Sequence, residues 1–240
     1  MTDWKRGGSY MTQFLHLKAA GDVLNAVGWP NILPERDITR AMACIQLLRP
    51  VARGLTKGAE PGTLFDLCCR RGILAVLAAH LLPYKTVFAV EMCENSPPLD
   101  TAMPLTRRFT PIEADIYKGQ ALVDLIRSKT GAVLASSHAN RSESERIVHL
   151  YQTSPNVLQL VLLPDVQGHQ VRDGIRKPLR RSTLDPISAW ALDMALWLRA
   201  DVYKDSRLRG FGPRVLIHAR RSWKAGVTEP APSPPRLPSF

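Results

Sequence analysis

The chain has 240 residues, enough for one large domain or two small ones. Its 45% hydrophobic and 22% charged residues exclude a wholly disordered or fibrous chain, and no apolar run approaches the ~18 residues that a membrane-spanning helix needs. Lys and Arg (32) outnumber Asp and Glu (21), so the net charge of +11 favours a polyanionic partner: RNA, DNA or an anionic surface.

In chain order, Tyr10 to Val27 reads as a helix, with Phe14, Leu15, Ala19, Val23 and Leu24 near a 3.6 period. Gly28-Trp29-Pro30 stops it. Asp37 opens a second helix to about Leu55, carrying Ile38, Ala41, Met42, Ile45, Leu48 and Val51 on one face. These form an N-terminal helical segment, residues 1–58, packed on the core. Thr63–Leu67 is a short apolar strand, Gly72–Leu82 a helix ended by Pro83, and Thr86–Glu91 a second strand. Strand, turn, helix and strand within about thirty residues make a βαβ unit. The alternation continues with a strand at Phe109–Ile112, a helix at Lys118–Ser128 and a strand at Ala132–Ser136. A helix follows at Ser142–Tyr151, where Ser142 and Glu145 have capping-box spacing. Val157–Leu163 is a buried-type strand. Asp185-Pro186 starts a helix to about Ala200, and Ala200–Tyr203 and Val215–Ala219 are late strands. The expected fold is α/β: a doubly wound, mostly parallel, seven-stranded Rossmann-like sheet over residues 59–224, with N-terminal helices. Residues 225–240 are proline-rich. They read as an extended tail, either simply solvated or a ligand for a protein partner.

Cys44, Cys68, Cys69 and Cys93 form no C-x-x-C pair, which excludes a zinc finger, and no metal site is expected. Adjacent Cys68 and Cys69 suit a disulfide poorly. Reduced thiols, and an N-terminus without the apolar segment of a secretory signal, point to the cytoplasm or another reducing intracellular compartment.

In open α/β sheets a ligand sits beyond the carboxyl ends of the strands. The first strand ends in Asp66-Leu67-Cys68-Cys69-Arg70-Arg71-Gly72, an acid, a tight turn and a helix N-terminus suited to an anionic or zwitterionic cofactor. The second strand ends in Glu91, where an acid takes ribose hydroxyls. Asp115 and Ile116 follow the third strand, beside the place for an adenine edge. This layout resembles the class I S-adenosylmethionine-dependent methyltransferases over roughly Arg53 to Arg221. Their first motif, acid-x-Gly-x-Gly-x-Gly, is matched at Asp66 and Gly72 and departs at Cys68 and Arg70. The resemblance implies S-adenosylmethionine as cofactor, held by Asp66, Cys68, Arg70, Gly72, Glu91, Asp115 and Ile116. Arg70 either fills the methionyl space, swings outward or pairs with the cofactor carboxylate. A dinucleotide fingerprint, a P-loop and a G-x-S-x-G elbow are all lacking.

Acceptor chemistry in this fold follows the fourth strand, where the chain has Ser136-Ser137-His138-Ala139-Asn140. His138 is a candidate general base and Asn140 a candidate for orienting the acceptor. Alternatively, Ser137 and Asn140 cap the next helix and His138 is a loop residue. Asp165 and His169, after the fifth strand, are further pocket candidates. From Gln170 to Ala225 the chain has thirteen basic and five acidic residues. Within that stretch Arg172, Arg176, Lys177, Arg180 and Arg181 are candidates for nucleic-acid phosphates, or else a solvated loop. Two functions remain open: a methyltransferase acting on RNA or another polyanion, and a catalytically inactive protein of the same fold that binds RNA or docks into a complex.

Overall fold

The computed structural model describes residues 8–26, 35–55, 62–92, 108–169, 173–208, 210 and 214–221. Arg172, Cys93, Gly28–Pro30 and the 225–240 tail lie outside the described residues. The helices are α1 (Tyr10–Leu15), α2 (Ala20–Ala26), α3 (Glu35–Leu55), α4 (Ile73–Leu81), α5 (Gln120–Ser128), α6 (Arg141–Thr153), α7 (Lys177–Arg180) and α8 (Pro186–Leu198). The strands are β1 (Thr63–Leu67), β2 (Thr86–Glu91), β3 (Phe109–Glu113), β4 (Ala132–Ser136), β5 (Val157–Leu162), β6 (Asp201–Lys204) and β7 (Val215–Arg220).

The seven strands form one sheet in the order β3-β2-β1-β4-β5-β7-β6. β1 to β5 pair in parallel, and β7 runs antiparallel to both β5 and β6. Every residue of β1, β4 and β5 is buried. That is why these strands read as unbroken apolar runs: helices cover both faces of a parallel sheet. β3 is an edge strand, which accommodates Pro111 opposite Ala89.

Alternation within the strands divides the core. Leu64, Val87, Val133 and Val161 face a cluster that includes α1, α3 and α4, with Phe14, Met42, Ile45 and Leu77. Phe65, Val90, Leu134 and Leu160 face a second cluster built with α5, α6 and α8, including Ile126, Ile147 and Trp190. α4 is buried from Ile73 through Ala79 because it lies between the sheet and α3.

Beyond shifts of one or two residues at several element ends, three features differ from expectation. The single helix over residues 10–27 is two, α1 and α2, separated at His16–Ala19. The break lets Phe14 (0% exposed) and Val23 (1%) both reach the core while Leu15 stays 58% exposed, so the apolar spacing was not one stripe. The capping box of α6 belongs to Asn140 and Glu143, not to Ser142 and Glu145. The Asn140 side chain accepts from the Glu143 N–H at 3.0 Å, and the Glu143 carboxylate accepts from the Asn140 N–H at 2.6 Å. Glu145 instead accepts from Arg141 and from the Trp190 indole N–H. The third difference is α7, a short helix where the sequence pattern predicts a loop. At α8 the expected cap holds: Asp185 accepts from the Ser188 N–H at 2.9 Å, with Pro186 in the first turn.

Asn140→Ala removes a cap and is expected to lower the unfolding free energy by about 1 kcal/mol. Ser142→Ala is expected to change it by less than about 0.5 kcal/mol. Urea denaturation of both variants checks the assignment, and equal losses would contradict it.

Candidate functional site

The turn after β1 is built on three left-handed residues. Cys68, Arg70 and Gly72 have φ of 56°, 50° and 67°, alternating along the chain. Only Gly72 adopts this conformation freely; at the other two positions a side chain makes it costly. The turn is tied to its surroundings. Gly72 N–H donates to the Cys69 carbonyl at 2.8 Å, Cys69 N–H donates to Val90 at 3.2 Å, and the Gly72 carbonyl begins α4 by accepting from Val76. The backbone thus takes the left-handed conformation at two positions where the sequence has Cys and Arg instead of glycine.

Glu91, at the end of β2, accepts from the Arg70 N–H at 2.5 Å. Partial burial raises its pKa above the usual carboxylate value, against the lowering effect of that N–H. It stands at the sheet edge where the sequence expects a ribose-binding acid. Ile116 is buried, while Asp115 is half-buried and turns one oxygen onto the Tyr117 N–H at 2.7 Å. Asp66 corrects an expectation. It is 0% exposed and faces α4, where one oxygen accepts from the Ala75 N–H at 3.0 Å. Gly72 has no side chain to cap α4, so Asp66 does it from the adjacent strand. Its other oxygen is buried without a partner, and burial pushes its pKa well up. Asp66 therefore shapes the turn from beneath instead of contacting a ligand. Cys68 and Cys69 are buried free thiols with pKa values raised by burial, which leaves them unsuited to nucleophilic chemistry.

The loops after β4 and β5 are fastened by a residue the sequence reading passed over. Arg40 of α3 is 0% exposed, and its guanidinium donates to the carbonyls of Ser137, Leu163 and Pro164 at 2.6–3.1 Å. Burial lowers its pKa to about 10, so it remains charged at neutrality. Asp165 N–H also donates to the Ala139 carbonyl at 2.8 Å, stitching the same loops together. Two ion pairs meet on the second of these loops. Asp165 accepts from Arg36 at 2.8 Å on one oxygen and from Arg70 at 3.3 Å on the other. Burial opposes ionisation of Asp165, but the Val166 N–H and the nearby guanidinium groups hold its pKa below the usual value. Because β4 lies between β1 and β5, the Arg70 side chain crosses the end of β4. Of the three expected orientations of Arg70, it points inward, across the site.

His138 is 4% exposed and close to this cluster. Burial, then Arg40 and Arg70, pull its pKa down to about 3. Its Nε2 is 3.7 Å from Asp37, beyond hydrogen-bond reach, and its Nδ1 is buried without a partner. This corrects the reading of His138 as a general base with an ordinary pKa near neutrality. Asn140 is the cap of α6, and its side-chain oxygen is engaged by Glu143 and Ser142. His169 is fully buried, edge-on to Trp190 with ring centroids 4.5 Å apart.

A cavity of about 680 Å³ opens beside the first turn of α6, lined by Asn140, Ser142, Glu145, Gln167, Met194 and Trp197 among others. Gly168 lets its wall close. Its φ is 77°, and a Cβ there would come within 3.1 Å of the Arg141 Cβ. The basic segment divides. Ile175 is buried, and Arg176 pairs with Asp193 of α8, which anchors the segment and corrects the reading of Arg176 as a free phosphate contact. Lys177, Arg180 and Arg181 stand exposed around α7. Among the described residues, no group of three or more His, Cys, Asp or Glu is placed to hold a metal ion, and no helix is long and apolar enough to cross a membrane.

The His138 environment sets a pH dependence. The unfolded chain protonates this histidine below about pH 6.5, whereas the folded chain resists until about 3. Its stabilising contribution is therefore complete above pH 6.5 and is lost as the pH falls toward 3. His138→Leu is expected to reduce the loss of stability between pH 7 and 4.5 by about 2 kcal/mol. Urea unfolding at the two pH values measures it, and an unchanged acid loss would contradict a neutral buried His138.

No family model and no curated sequence matches this chain. Solved structures do match in fold. A Klebsiella pneumoniae protein assigned as an O-methyltransferase is 11% identical over 90% of this chain and 91% of its own, with a TM-score of 0.50. Aeropyrum pernix fibrillarin, crystallised with S-adenosyl-L-methionine, is 15% identical over 73% of this chain and 76% of its own, with a TM-score of 0.43. Magnesium protoporphyrin IX methyltransferase from Synechocystis PCC 6803 is 13% identical over 92% of this chain and 100% of its own, also with a TM-score of 0.43. With the strand order and the antiparallel β7 already described, the Klebsiella match identifies the fold of this chain as that of the class I S-adenosylmethionine-dependent methyltransferases.

Proposed function

We propose that this chain is an S-adenosylmethionine-dependent methyltransferase acting on RNA or another polyanionic substrate. The left-handed turn at residues 68–72 carries the reading. Non-glycine residues in this conformation cost about 1–2 kcal/mol each, and such strain persists mainly where a ligand clamp or active site over-determines it. The surrounding residues fit the cofactor. The Glu91 carboxylate is available at the end of β2 for ribose hydroxyls, Ile116 offers an apolar wall, and Asp115 adjoins it for the adenine edge. When bound, S-adenosylmethionine supplies a methyl group on a sulfonium centre. The chain's own contribution is positioning. His138, neutral and enclosed, and Asn140, committed to its cap, shape the acceptor side instead of moving protons. The cavity beside α6 is the candidate opening for the acceptor. Lys177, Arg180 and Arg181, with Arg172 in the same stretch, supply positive charge for phosphates.

One observation favours the alternative, a catalytically inactive docking protein with residues 225–240 as its partner-binding segment. The Arg70 guanidinium lies across the site on Asp165. Calorimetric titration with S-adenosylmethionine separates the readings. The native chain is expected to bind it, and Glu91→Ala to weaken binding at least tenfold, about 1.4 kcal/mol. No binding by the native chain, with binding restored by Arg70→Gly, would favour the docking protein. RNA affinity is expected to fall steeply with salt and to fall less steeply in a Lys177→Ala, Arg181→Ala double variant. A salt-independent affinity would remove the polyanion from the proposal.

A further inference from the structure

Arg70 joins both ends of the site through one residue. Its backbone N–H donates to Glu91 after β2, and its guanidinium reaches Asp165 after β5. The two contacts differ in strength. The backbone bond is 2.5 Å, whereas the guanidinium contact is 3.3 Å and the arginine side chain is half exposed. A long ion pair with one solvent-facing partner is weakly held. Asp165 does not depend on Arg70 for a counter-charge, because its other oxygen accepts from Arg36 at 2.8 Å and from the Val166 N–H at 2.6 Å. The pair can therefore open without stranding a buried carboxylate. Opening leaves a guanidinium on the turn after β1, which the proposed cofactor approaches, and an 8%-exposed carboxylate facing it from the loop after β5.

An opened ion pair has a definite complement: a ligand that carries an anion and a cation side by side. Such a ligand enters with no net change in charge and replaces one charge-assisted contact with two. A carboxylate alone would leave Asp165 facing it, and an amine alone would leave Arg70 facing it. We propose that the Arg70–Asp165 pair is a receptor for an α-amino-acid zwitterion, opened when the ligand carboxylate takes Arg70 and its ammonium takes Asp165. Arg36 stays on Asp165 throughout and fixes its orientation. This rests on the S-adenosylmethionine reading, whose methionyl end is such a zwitterion. It gives the departure from glycine at residue 70 a purpose: the side chain that crosses the site recognises one end of the ligand.

The test compares two ligands by calorimetry on the full chain. S-adenosylhomocysteine carries the zwitterion, and 5′-methylthioadenosine keeps the nucleoside and sulfur without it. The native chain is expected to prefer S-adenosylhomocysteine at least tenfold. Arg70→Gln and Asp165→Asn are each expected to weaken S-adenosylhomocysteine about tenfold while leaving 5′-methylthioadenosine within twofold, which also reports an intact site. Arg70→Lys is expected to recover part of the loss. Equal binding of both ligands by the native chain would overturn the zwitterion receptor and leave the cofactor reading standing. Tighter S-adenosylhomocysteine binding by Asp165→Asn would overturn it too, by making Asp165 a competitor for Arg70. Equal weakening of both ligands in the variants would make the pair structural. If the native chain binds neither ligand, the cofactor reading fails and this inference falls with it.

Discussion

A guanidinium buried beneath the ends of β4 and β5 is the constraint on which the candidate site depends. Arg40 donates to three backbone carbonyls of the loops that follow those strands, and it does so from α3. Carbonyls at the ends of strands are acceptors that burial would otherwise leave wanting, and a buried cation needs acceptors equally. Each solves the other's problem. The helix, the loop carrying His138 and the loop carrying Asp165 are thereby fixed relative to one another. That charge also adds to the burial that depresses the pKa of His138, and it helps hold the pKa of Asp165 down.

The turn after β1 is a second fixed point of a different kind. Asp66 holds it from below by capping α4, and Glu91 holds it from the side through the Arg70 N–H. Between them they keep the backbone in a conformation that Cys68 and Arg70 would not choose. Strain at two residues is small beside the burial of α4, whose residues from Ile73 through Ala79 lie in the core. The turn can therefore hold this shape without glycine at residues 68 and 70, because the shape is set by the strands and the helix cap rather than by the local preference of the turn.

Much of this was legible in the sequence. Strands buried on both faces announce themselves as short apolar runs, and three of them, Thr63–Leu67, Thr86–Glu91 and Ala132–Ser136, have the predicted bounds. Asp66, Glu91 and Asp115 do lie near the carboxyl ends of β1, β2 and β3, as the strand pattern predicts. What the sequence concealed was which group each acid meets. Asp66 and Glu91 share one face of the sheet by register, but Asp66 lies inside β1 beneath the Ala75 N–H, while Glu91 ends β2 and meets the turn through the Arg70 N–H. Arg40 was hidden because α3 is buried on every side from Ile38 through Ile45, so an apolar stripe does not mark the limits of its buried face. The pKa of His138 was hidden because its causes, burial and two arginines distant in sequence, exist only in the fold. The capping box was misread by two residues because both spacings satisfy the pattern, and only the backbone geometry at Asn140 chooses between them.

The distribution of charge follows from the same arrangement. The chain carries an excess of +11, yet the arginines closest to the site are engaged: Arg40 on carbonyls, and Arg36 and Arg70 on Asp165. Arg176 is likewise held by Asp193, and Lys177, Arg180 and Arg181 are exposed around α7. The cations thus do two kinds of work. Those on the helix, turn and loops at the sheet edge organise polar groups in a partly desolvated environment, where a charge interacts strongly at short range and is little screened by salt. Those around α7 act through water, where their attraction is longer in range, weaker and sensitive to salt. On the polyanion proposal, a long anionic substrate drawn in by the second set would meet a site in which the first set is already paired, and its phosphates would stay near α7, leaving recognition at the centre to groups that exchange places with the Arg70–Asp165 contact.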